Sequence, residues 1–158
     1  VHYTNTSGRN DIVVAKVARD SENVYFYAQT REPLTPNTDP NWMWLLIDVD
    51  ANSQTGWEGY DFILNRTLEG QVTLLEECIG NWKWKKVSEV PYRVDGNELM
   101  IAVSREALGL TTGNVTKFDF KWWDNARKNG DIMDTYLSGD TAPDARFNYR
   151  YVNDTSSQ

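Results

Sequence analysis

Between Trp42 and Asp61 the chain gathers two kinds of side chain that do chemistry, flat aromatic rings and oxygen ligands. Asp48, Asp50 and Asn52 alternate along the backbone, and Glu58 and Asp61 follow, so their oxygens can converge on a hard cation such as calcium. The spacing is not that of an EF-hand, because the sixth position is Ser53 where glycine is needed and the twelfth is Gly59 where glutamate is needed. In the alternative, Asp48 and Asp50 end a strand and Asn52 to Gly56 form an ordinary turn. Trp42 and Trp44 precede the acids, and Trp57 and Tyr60 lie in and just after the loop. Further along, Trp82 alternates with Trp84, and Trp123 is followed by Asp124 and Asn125. Sugar rings stack their C–H faces on indoles while carboxylates, amides and cations bind the rim hydroxyls. Indoles beside Lys, Asp and Asn suit that chemistry; alternatively they cover a second sheet face. Glycoside hydrolysis needs a facing pair of carboxylates. Glu76 and Glu77 are adjacent and point to opposite faces of a strand, and Glu58 with Asp61 is the other conceivable pair.

The composition sharpens this. Seven Trp, eight Tyr and five Phe in 158 residues exceed what one small core requires, so some rings are expected to face a ligand. A net charge of -7 repels phosphate backbones and anionic lipid, which argues against nucleic acid and membrane partners. The one local basic cluster is Lys83, Lys85 and Lys86. Cys78 is the only cysteine and His2 the only histidine, which excludes an intrachain disulfide, thiolate zinc sites and most His-dependent hydrolase triads. No stretch has the length of an apolar transmembrane helix. The chain opens at Val1 without a signal peptide, and the expectation is a segment processed or cut from a larger protein. Sequons begin at Asn5, Asn65, Asn114 and Asn153 and matter only in a source that glycosylates.

The elements that must position these groups read as short strands. Asp11–Arg19 and Asn23–Thr30 flank the polar turn DSEN and predict a hairpin. Arg31–Asn41 holds three prolines and predicts a loop. In the run from Trp42, alternation predicts a buried face of Met43, Leu45, Ile47 and Val49. The opposite face would carry Trp42, Trp44, Leu46, Asp48 and Asp50 as the floor of a groove. Strands are predicted at Gln71–Ile79, Trp82–Val87, Val90–Val94, Glu98–Val103, Lys117–Trp123 and Ala145–Tyr151, with one helical turn at Ser104–Leu108. Phe118, Phe120 and Trp122 form a core row, opposite Lys117, Asp119, Lys121 and Trp123. This pattern predicts an all-β fold, an antiparallel β-sandwich of jelly-roll type with at most one short helix, in a single domain over residues 1–158. A closed barrel is the structural rival.

Three segments, WLLIDVDANSQTGWEGYDF, KFDFKWWDNARKNG and DIMDTYLSGDTAPDARFNYRY, resemble in order and spacing the family 9 carbohydrate-binding modules and the related DOMON-like β-sandwiches. The likeness spans most of the chain. In that family two aromatics clamp a sugar, helped by polar groups of the central and late strands. The resemblance places the first aromatic at Trp42 or Trp44 and the second at Tyr136, where the family more usually has Trp. Trp123, Asp124 and Asn125 fall at the polar-contact positions. Trp44 stands where the family tends to carry an acid, which implies a different specificity. Haem-binding DOMON relatives use Met and His ligands; with no internal His, haem is not expected. No nucleotide cofactor is expected either, and calcium is expected only in a structural role.

The expected function is a non-catalytic carbohydrate-binding module that targets an enzyme to oligo- or polysaccharide. Trp44, Trp123 and Tyr136 supply stacking faces, with Trp42 the alternative first aromatic and Trp82 and Trp84 a reserve platform, and Asp124 and Asn125 supply hydrogen bonds. Such modules are commonly secreted, cell-surface or periplasmic, as appendages of a glycoside hydrolase or a neighbouring catalytic domain. The alternatives are a small glycan-active hydrolase or lyase, and an accessory domain that packs against a catalytic neighbour.

Overall fold

The computed structural model describes residues 10–38, 42–49, 59–110, 115–124, 140–142 and 149–154. Its first element is the hairpin of β1 (Ile12–Arg19) and β2 (Asn23–Thr30). Both Oδ1 contacts of the Asp20 carboxylate close the turn, accepting from the amides of Glu22 at 2.8 Å and Asn23 at 2.7 Å. The Tyr25 hydroxyl donates to the other oxygen at 2.5 Å, and Tyr27 donates to Glu98 at 2.6 Å. The Tyr25 bond, joined by the amides of Asn23 and Glu22, holds the Asp20 carboxyl below its usual 3.8. The same contacts push the phenols of Tyr25 and Tyr27 above 10.0, through Asp20 and Glu98 respectively. The Asp20 contribution to stability is therefore present above pH 3.8 and lost as pH falls through its folded value; the phenol contributions are present below pH 10.0 and lost as pH rises. In an ultraviolet titration of the eight tyrosines, two are expected to ionise late, and Asp20→Asn should return one of them toward the ordinary range.

The chain continues through β3 (Trp44–Asp48), β4 (Phe62–Leu64), β5 (Leu68–Glu69), β6 (Val72–Gly80), β7 (Lys83–Asp95), β8 (Glu98–Ser104), β9 (Val115–Asp124), β10 (Asp140–Ala142) and β11 (Tyr149–Asp154). All pairings are antiparallel, and no helix occurs among the described residues. The strand order is β1-β2-β8-β7-β6-β4-β3-β9-β10, with β11 also on β9 and β5 on β6. One layer is β1-β2-β8-β7 and the other runs from β7 to β10 and β11. The two ends, β1 and β10, approach each other, so the sheet is nearly closed and lies between a sandwich and a barrel.

Runs predicted as two strands, Trp82–Val87 and Val90–Val94, are one strand of 13 residues that belongs to both layers. It pairs with β6 as far as Pro91 and with β8 from Tyr92. Proline lacks a donor, and here it sits at the changeover. The predicted helical turn at Ser104–Leu108 is present as a single turn, the Leu108 amide reaching the Ser104 carbonyl at 3.3 Å, and does not extend into a helix. Ser104 Oγ accepts from the Ala107 amide at 3.3 Å, and the turn ends at Gly109 with φ +74°. Two short strands, β5 and β10, fall between the runs predicted as strands.

Alternation on β2 puts Val24, Phe26 and Ala28 in the core against Leu99, Ile101 and Val103 of β8. The other layer contributes Leu45, Ile47, Phe62, Leu64, Leu75, Phe118, Phe120 and Trp122. Phe26 seats its ring 5.4 Å from Phe120 and 5.6 Å from Phe118. One expectation needs correcting: β3 has no exposed face. All five of its residues are buried, with Leu45 and Ile47 in the main core and Trp44 and Leu46 in a second cluster on the far side of the sheet.

Candidate functional site

That second cluster is the candidate site. It forms on the outer face of the larger layer from Trp44 and Leu46 of β3, Tyr60, Ile63 of β4 and Trp123 of β9, with Cys78, Trp82 and Trp84 packed against it. Sequence alternation places Trp122 and Trp123 on opposite faces, and they are: Trp122 enters the main core and Trp123 this cluster. The cross-strand pair Trp44–Trp123 stands edge to face at 5.5 Å and 86°. Trp82 lies 5.3 Å from Trp44, tilted by 39°, and meets Trp84 edge to face at 5.3 Å and 89°.

Exposure separates these four rings. Trp44 and Trp123 are 1% and 0% exposed, so neither offers a free face, contrary to the stacking role expected for them. Trp82 and Trp84 remain half-buried. The inner pair thus forms a floor and the outer pair the reachable surface.

The polar groups around the cluster are engaged with one another. Strand register lines up Lys121, Leu46, Ile63, Glu76 and Lys86 across β9, β3, β4, β6 and β7. Lys121 is fully buried. Glu76 is buried and clamped by Arg66, whose Nε and Nη2 reach its two oxygens at 3.1 and 2.6 Å. Its neighbour Glu77 points away and is exposed, as alternation requires. At the other end of the face, Asp48 lies opposite Asp119, which Arg150 grips at 2.8 and 3.1 Å. Sequence reasoning missed Arg66 and Arg150, since pairs 10 and 31 residues apart carry no local signal.

Two expected contact residues act elsewhere. Trp42 does not share a face with Trp44, because Met43 adopts φ +44° and breaks the alternation. Trp42 turns into the main core, donates its indole N–H to the Thr35 carbonyl at 2.9 Å and lies 6.1 Å from Tyr92. Asp124 is fully buried, and its Oδ1 accepts the Met43 amide at 2.9 Å. Asn65 completes the clamp by donating to the Met43 carbonyl at 2.7 Å. Asp124 thus holds a backbone kink where a sugar contact was expected, and buried Asn65 is unsuited to a glycan. Asn125 and Tyr136 lie outside the described residues.

Of the expected calcium ligands, Asp50, Asn52 and Glu58 also lie outside them. Asp48 is 7% exposed, and Asp61 Oδ2 accepts the Val49 amide at 3.0 Å. Among the described residues no group of three or more His, Cys, Asp or Glu side chains is placed to hold a metal ion.

No family model, curated protein or solved structure matches the chain.

Proposed function

We propose that the chain is a non-catalytic carbohydrate-binding module whose contact surface is the Trp82–Trp84 pair. The observation that carries this reading is the separation of the indoles into a buried floor and a half-exposed pair outside the main core. A core needs no rings there, and a solvated face would ordinarily avoid them. The floor fixes the outer rings in place, so a sugar need not order them on binding. The edge-to-face angle between Trp82 and Trp84 presents one flat face and one wall, a corner suited to a pyranose ring. The resemblance to family 9 modules points the same way, with the stacking role moved from Trp44 and Trp123 to Trp82 and Trp84. Attachment to a polysaccharide-active enzyme and export belong to this reading, as does a structural calcium ion at the 48–61 loop.

The test is binding to a panel of soluble glucans, mannans, xylans and pectins, followed by calorimetry and tryptophan emission with and without chelator. Binding with a change in emission and no release of reducing ends is the expected result. Silence across the panel overturns the reading, and turnover transfers it to a glycan-active enzyme.

A further inference from the structure

The outer face of the smaller layer carries side chains that the indole corner does not use. On β2, Val24, Phe26 and Ala28 enter the core, so Tyr25, Tyr27 and Gln29 point outward. Strand register extends that face into two rows. One is Ala18, Tyr25 and Ala102 across β1, β2 and β8. The other is Lys16, Tyr27, Met100 and Arg93 across β1, β2, β8 and β7. Tyr25 and Tyr27 thus share one face, about 6.6 Å apart along the strand. The residues beside Tyr25 are alanines, so no long side chain opposite it on either neighbouring strand covers its ring.

Both rings are held in place already. The Tyr25 hydroxyl donates to Asp20 at 2.5 Å and the Tyr27 hydroxyl to Glu98 at 2.6 Å. Lys16 Nζ lies over the Tyr27 ring, 5.5 Å from its centre. A depression of about 280 Å³ opens beside that ring, lined by Met100, Arg93, Asp95 and Glu98 and not by Lys16. Met100 is 45% exposed. Arg31, Arg66 and Arg150 each hold a carboxylate, whereas the side chains of Arg93 and Asp95 make no hydrogen bond or ion pair among the described residues. The charges choose the ligand. Two cations, Lys16 and Arg93, are interleaved with two carboxylates, Asp95 and Glu98, so an ion of either sign meets repulsion as well as attraction. A neutral ligand rich in hydroxyls uses both signs, since a hydroxyl donates to a carboxylate and accepts from a guanidinium.

We propose that this face is a second binding surface and that it takes a neutral hexose chain, with one ring against Tyr27 and Met100 and its hydroxyls on Arg93 and Asp95. It belongs to the smaller layer and the indole corner to the outer face of the larger one, so a single domain holds two chains at once. The choice of a sugar over other neutral polar ligands rests on the function proposed above; the surface and its charge balance do not.

Methyl-¹³C methionine labelling supplies the reporters, Met100 on this face and Met43 in the main core as the check that the fold is intact. Cellohexaose and mannohexaose, both neutral, are titrated beside hexagalacturonate. At least one neutral hexaose should move the Met100 methyl signal saturably, at least about tenfold more tightly than the acid. Tyr27→Ala should weaken that response by at least about tenfold and Arg93→Ala, at an exposed position, by about threefold or more, each with the Met43 signal unchanged. In Trp84→Ala the Met100 response should persist. The assignment is overturned if Met100 responds to neither neutral chain, if hexagalacturonate binds there as tightly, if either variant binds as the parent does, or if Trp84→Ala abolishes the response. Met100 silent while polysaccharide still binds through Trp84 removes this surface and leaves the module reading standing. Met100 responding while Trp84→Ala changes no binding leaves this surface standing and removes the indole corner.

Discussion

Trp84→Ala is expected to weaken binding to the preferred polysaccharide by about tenfold to a hundredfold, as befits an aromatic anchor in a small contact surface. Two losses combine. The variant lacks one of the two reachable faces, and it also removes the ring that Trp82 meets edge to face at 5.3 Å. Trp82 then keeps its contact with Trp44 but loses the edge-to-face one, and is held less firmly before sugar binds. Folding should suffer less, with about 1–3 kcal/mol lost, since the ring is half-buried and lies outside the main core. Trp84→Phe separates stacking from hydrogen bonding. Among the described residues the Trp84 Nε1 is buried without a hydrogen-bond partner, so phenylalanine forfeits ring area alone and should retain a substantial part of the affinity. Calorimetric titration beside urea unfolding checks both numbers. An unchanged affinity in Trp84→Ala would remove the indole corner from the account.

The largest effect on stability is expected from Asp124→Ala, at about 2–4 kcal/mol. Met43 is a residue with a Cβ held at φ +44°, a conformation costing about 1–3 kcal/mol that persists only where its surroundings impose it. Asp124 and Asn65 impose it by holding the amide and the carbonyl of Met43, all in the interior. Alanine leaves the Met43 amide buried without its acceptor and opens a void beside it. Asp124→Asn keeps an oxygen available for that amide and should cost less. The kink also turns Trp42 toward Tyr92, so the alanine variant should broaden or shift the Trp42 indole signal even where the fold survives. Urea unfolding that places Asp124→Ala within about 0.5 kcal/mol of the parent would show that the clamp contributes little.

This clamp marks the limit of what the sequence discloses. Alternation alone identifies the faces of β2, β8 and β9, because each has one apolar row opposed by polar or mixed side chains. It misassigns β3, whose outer row is covered by tryptophans, so that a strand read as half-exposed is buried on both sides. It misplaces Trp42 because nothing local announces a left-handed methionine; the residues that enforce it lie 22 and 81 positions away. The proline-rich loop is plain in the sequence, but only the path of β7 brings Tyr92 beside Trp42 and Asn37. The indole surplus over the needs of one core was legible in the sequence, and the division into floor and surface was not, since burial is decided by neighbours on several strands.

The shared strand β7 has a mechanical consequence. In a sandwich of two independent sheets, one layer can swing or peel from the other by shearing the side chains between them. Here the layers are sewn along a single continuous backbone, with Pro91 at the stitch. A load applied at the Trp82 end is carried through peptide bonds into the opposite layer, where Tyr92 and Val94 take the strain. The fold behaves as a folded cloth with one crease, and it resists being opened like a book.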